Sequence, residues 1–95
     1  MKYTIDYTNT FKKHFKKIKK QNKDLNLIYE VIEKLANGEE LDHKYKNHNL
    51  SSNKKYKNCK ECHIEPDWLL IYQIEKNNLI LLLFATGSHS ELFNK

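Results

Sequence analysis

The stretch ECHIEPDWLLIYQIEKNNLILLLFATG, residues 61–87, decides how this chain folds. Two apolar runs of strand length, 68–75 and 79–85, flank the turn sequence Lys76-Asn77-Asn78. Pro66 marks a second turn, between the first of these runs and a more polar one over 57–64. Three strands joined by two tight turns predict an antiparallel meander. The run 79–85 is apolar at every position, so it is expected to be the most buried strand.

Upstream of the meander the pattern changes period. Residues 2–7 read as a short strand with Tyr3, Ile5 and Tyr7 on one face. Thr8 or Thr10 can cap a helix on which Phe11, Phe15 and Ile18 recur at helical spacing, while lysines crowd the other faces. Asp24 can cap a second helix with Leu27, Ile28, Val31, Ile32 and Leu35 as its stripe, and Asn37-Gly38 supplies its end. A polar connector over 39–55 carries His43, His48, Ser51 and Ser52, long enough in so small a chain to suggest a working loop. The tail SHSELF ends on Leu92 and Phe93, which need somewhere to pack. The expected fold is α+β, in the order β-α-α-β-β-β: a mainly antiparallel sheet with an N-terminal helical hairpin on one face, one domain over 1–95.

Ninety-five residues can bury only a modest core. The net charge of +5 and pI near 9.1 favour a polyanionic partner, nucleic acid before others. All 17 basic residues are lysine, which offers phosphate a point charge rather than arginine's planar fork. A lysine-rich helix face is equally what a solvated surface looks like. The N-terminus lacks the apolar core of a secretory signal and no apolar run approaches membrane-spanning length. A cytoplasmic protein with reduced cysteines and no membrane partner is expected.

Two chemistries compete around the first turn. CKECH at 59–63 fits the C-x-x-C-H pattern of haem attachment, but Met1 is the sole methionine and the pattern lies inside a strand. Cys59, Cys62 and His63, with His48 as a fourth, are zinc-ligand types but lack a second paired knuckle. Neither haem, metal nor another cofactor is expected. The rival reading is acid–base chemistry. The turn brings His63 and Asp67 to one sheet end, the next strand pair returns Gly87 to that end, and His89 follows at once. The connector bearing His48 can fold over the same rim. Imidazoles work in both directions near neutral pH. RNA carries its own nucleophile, the 2′-hydroxyl, so a base, an acid and a cation suffice to cut it without metal.

These residues also carry a resemblance. The order HNL at 48–50, ECHIEPDWLLIY at 61–72 and TGSHSELF at 86–93 resembles the YafQ-type branch of the RelE/ParE toxin superfamily. The resemblance implies a toxin of a type II toxin–antitoxin pair that enters the ribosomal A site. There it would cut mRNA, leaving a 2′,3′-cyclic phosphate, and a cognate antitoxin would be its resting partner. It further implies functional roles for His48, His63, Asp67, Trp68, His89 and Phe93. His89 is expected as general acid, Asp67 with His63 on the base side, and His48 beside the 2′-hydroxyl. Trp68 and Phe93 are expected to shape the nucleotide pocket. One position departs: the family carries arginine where this chain has Ala85, so an impaired or inactivated enzyme is expected unless Lys60 or a loop lysine supplies the missing charge. Two other readings stay open, a ParE-like inhibitor of a protein target such as gyrase and a non-catalytic RNA-binding module.

Overall fold

The structure, a computed structural model, describes residues 1–50 and 53–93; Ser51 and Ser52 of the connector lie outside the described residues. The elements run β1 (Thr4–Tyr7), α1 (Asn9–Lys20), α2 (Leu25–Ala36), a 3₁₀ turn (His43–Tyr45), β2 (His48–Asn49), β3 (Lys60–Glu65), β4 (Trp68–Glu75), β5 (Ile80–Gly87) and α3 (His89–Phe93). The strands form one sheet in the order β1-β5-β4-β3-β2, antiparallel except where β1 lies parallel to β5.

Local chemistry sets the helix ends. The Thr8 hydroxyl accepts the Phe11 N–H at 2.9 Å and donates to Phe84 O at 2.8 Å, so one side chain caps α1 and ties it to β5. Asp24 caps α2 by accepting the Asn26 N–H at 3.0 Å. Gly38, at φ 78°, closes α2, and a Cβ there would stand 2.6 Å from Lys2 Cδ.

The helical hairpin covers one face of the sheet. Phe11, Ile18, Ile28, Val31 and Leu35 pack there against Cys62, Trp68, Leu70, Tyr72, Leu81 and Leu83. The opposite face is covered more thinly, by Tyr56, Cys59 and Leu92 over Leu69, Ile71 and Ala85. Leu92, the apolar end of the tail, finds its packing here.

A β-bulge switches β5 between these faces. Tyr72 pairs with Leu83 and Ile71 with Ala85, so Phe84 is the extra residue. Leu81 and Leu83 therefore face the helices, whereas Ala85 faces away with Ile71. This corrects the expectation that β5 is the most buried strand. In β4 Trp68 through Tyr72 are all buried, whereas over 79–85 only Leu81, Leu83 and Ala85 are, with Leu79 exposed at the turn and Ile80, Leu82 and Phe84 half-buried. The first strand also differs: Tyr3 is buried, but Ile5 and Tyr7 stay exposed at the sheet edge.

Candidate active site

Strand alternation sorts the side chains of β3. Cys62 and Ile64 face the helices, while Glu61 and His63 lie on the thinly covered face. The polar connector contributes β2, whose His48 pairs with Glu61. At the β3–β4 turn, Asp67 stands exposed below the start of α3, which carries His89.

The three imidazoles meet. Ring centroids of His48 and His63 are 6.3 Å apart, and those of His63 and His89 5.6 Å. Each ring is held through Nδ1. His48 Nδ1 lies 2.7 Å from Lys46 O and His63 Nδ1 3.3 Å from Pro66 O. A carbonyl can only accept, so these nitrogens carry protons. His89 Nδ1 lies 2.8 Å from Asp67 Oδ1, which also accepts the His89 backbone N–H at 2.9 Å. With Nδ1 so engaged, Nε2 of each ring is left for chemistry. For His48 and His63 it points at a single atom, Glu61 Oε1, 3.4 Å from each.

Glu61 is the residue the sequence reading missed. Its side chain is 5% exposed, an uncommon setting for a carboxylate, and two imidazoles face it. Its position two residues before His63 on one strand was the available signal, since period two puts both on one face. Asp67, expected beside His63, contacts His89 instead. Its carboxyl is held below the usual range, first by the backbone N–H of His89 and then by the ring.

The remaining candidates separate. Phe93, its ring 6.3 Å from His89 and edge-on to Tyr56, does flank the rim. Trp68 is fully buried on the helix face and its Nε1–H donates to Thr86 Oγ1 at 3.0 Å, leaving no ring face on which a base can stack. Lys60 is no neighbour of the site either. Alternation turns it away from Glu61, into a cavity of about 350 Å³ lined by Glu40, Asp42 and His43. Ala85 lies in the row Ala85–Ile71–Glu61–His48, on the imidazole face but fully buried. It packs there with Tyr56, Leu69, Ile71 and Leu92.

The haem and zinc patterns dissolve. Cys59 and Cys62 belong to opposite faces of the sheet, so one group cannot take both. Burial, with the Glu61 charge adding to it, pushes the Cys62 thiol up to about 12, and burial also raises Cys59. A different donor set exists: Glu61, His63 and His89 each offer an atom within 4.8 Å of the others.

A helical hairpin on one face of this sheet and a histidine–carboxylate rim on the other define a small toxin of the RelE superfamily. Comparison with known proteins narrows the class. The sequence model described as the bacterial toxin of type II toxin–antitoxin systems, YafQ, matches residues 3–94, and the chain belongs to that family. It is 36% identical over 90 residues to the mRNA interferase toxin YafQ of Escherichia coli strain B, covering 94% of each chain. Among solved structures it resembles a metal-bound toxin from Helicobacter pylori, with TM-score 0.88, 44% identity and coverage of 96% and 99%. It likewise resembles YafQ in the DinJ–YafQ complex of Escherichia coli, with TM-score 0.85, 35% identity and coverage of 96% and 98%.

Proposed function

We propose that this chain is a ribosome-dependent endoribonuclease, acting in the cytoplasm as one domain and restrained by a cognate antitoxin. The observation that carries the reading is the shared engagement of Nδ1, which leaves three Nε2 atoms and Glu61 around one rim. On the base side, Glu61 with His63 and His48 takes the 2′-hydroxyl proton as that oxygen attacks the adjacent phosphorus. On the acid side, His89 delivers a proton from Nε2 to the leaving 5′-oxygen, with Asp67 fixing its ring. The products are a 2′,3′-cyclic phosphate and a free 5′-hydroxyl. Phe93 borders the nucleotide. DNA lacks the nucleophile and is spared.

The cation at the phosphate is the weak element. Alanine at position 85 offers the phosphate no charge where the resembled family carries arginine, so turnover is impaired by about 10²–10³. An antitoxin partner is supported by the relative solved in complex with DinJ. The test is primer extension on mRNA in a translating system. Cleavage within codons supports the reading, and its absence even with Ala85→Arg refutes it.

A second reading concerns inhibition. The Helicobacter pylori relatives include metal-bound and copper-bound forms, and the two imidazoles and one carboxylate here suit zinc or copper. Glu61, His63 and His89 would hold such an ion, and it would occupy the groups that the proton transfers require.

A further inference from the structure

The edge of β5 changes partner just before the site. β1 pairs with β5 only as far as Leu83, because the chain turns at Thr8 into α1. Beyond that point, among the described residues, no strand lies beside the outward N–H groups of β5. Thr86 is 2% exposed, and a buried N–H without a partner is costly. The partner comes from the helix: His14 Nδ1 accepts the Thr86 N–H at 3.3 Å.

One turn along α1, Lys17 makes a second attachment. Its Nζ lies 2.5 Å from Glu91 Oε2, while Glu91 Oε1 accepts the Ser88 N–H at 2.8 Å. Gly87 permits this close approach, since a Cβ there would stand 3.0 Å from Glu91 Oε1. His14 directly, and Lys17 through the Glu91 carboxylate, thus hold the backbone N–H groups on either side of Gly87. His89 hangs from this segment on a helix of five residues, too short to hold its own place.

We infer that His14 is a positioning residue for the proposed cleavage: by accepting the Thr86 N–H it fixes the β5–α3 junction and so the approach of the His89 ring. The inference rests on the proposed function only for its catalytic consequence. The contact requires the neutral ring with Nδ1 unprotonated, because protonation would set two donors face to face. Burial lowers the His14 pKa from its ordinary 6.5. Of the charged groups facing it, Glu91 on α3 opposes that shift, while Lys55 before β3 and Lys17 on α1 reinforce it. A folded-state pKa below the unfolded value means the clamp is complete at neutral pH and above. It is lost as pH falls through the folded value.

The experiment compares the chain with His14→Asn, whose Oδ1 replaces Nδ1 without titrating, and His14→Leu, which has no acceptor. Amide hydrogen exchange at Thr86, the His89 ring resonances against pH, and kcat and KM for cleavage in the Ala85→Arg background are recorded. Expected for His14→Leu are Thr86 exchange at least tenfold faster, displaced His89 resonances, and kcat down about ten- to a hundredfold with KM held. His14→Asn should restore all three and abolish the acid transition in Thr86 exchange. Unchanged Thr86 protection and His89 resonances in His14→Leu would overturn the inference, as would equal losses in both variants. If no ribosome-dependent cleavage occurs in any form, the proposed function fails, while the exchange and ring measurements still decide the role of His14.

Discussion

Asp67 Oδ1 receives two hydrogen bonds from His89, one from its backbone N–H at 2.9 Å and one from its Nδ1 at 2.8 Å. A single oxygen therefore fixes both the start of α3 and the tautomer of its first side chain. The carboxylate of serine-protease triads orients an imidazole in a related way, leaving Nε2 for the proton transfer. In the Ala85→Arg background, Asp67→Ala should lower kcat by about 10²-fold. Asp67→Asn, which keeps an acceptor and loses the charge, should lose less. Single-turnover cleavage of ribosome-bound mRNA measures both.

Glu61 makes the opposite test, on the base side. Replacing it with glutamine preserves volume and removes the charge between His48 and His63. The expected result is a drop of about tenfold to a hundredfold in cleavage. Binding to ribosomes should be unchanged, as read by co-sedimentation alongside the rate.

Trp68 should behave as core. Trp68→Phe removes the N–H that reaches Thr86 Oγ1, although that hydroxyl still donates to Leu69 O at 2.7 Å. Stability should fall by about 2 kcal/mol in urea unfolding, through lost volume and the lost bond. Cleavage per folded molecule should stay within about twofold at saturating ribosome, since the ring is fully buried.

Both cysteines should be inert in the native state. The thiolate is the reactive form, and burial raises both thiols, Cys62 to about 12. Iodoacetamide at pH 8 should label neither residue until the protein is unfolded in guanidinium, as followed by intact mass.

Much of this architecture was legible because strand and helix periods differ. The stripes of α1 and α2, the capping by Thr8 and Asp24, and the meander all follow from spacing and turn residues. The bulge at Phe84 was not, since an all-apolar run such as 79–85 gives alternation nothing to mark. The face of Lys60 was legible: three residues from His63 on one strand is an odd offset, which puts the two on opposite faces. The convergence of His48, His63 and His89 was readable from topology. Which carboxylate serves which imidazole was not, because that depends on how the turn at Pro66 directs Asp67. His14 gave no signal at all, being one polar residue on a lysine-rich helix.

If the imidazole rim cuts RNA through the RNA's own 2′-hydroxyl, the new 3′ ends carry the mark of it. The most direct measurement is the chemistry of the new 3′ ends on ribosome-bound mRNA. It would compare the Ala85→Arg protein with the same protein lacking both His63 and His89. Expected are 2′,3′-cyclic phosphate ends within codons for the first and no cleavage for the second. Equal cleavage by both, or ends carrying a free 3′-hydroxyl, would contradict this mechanism.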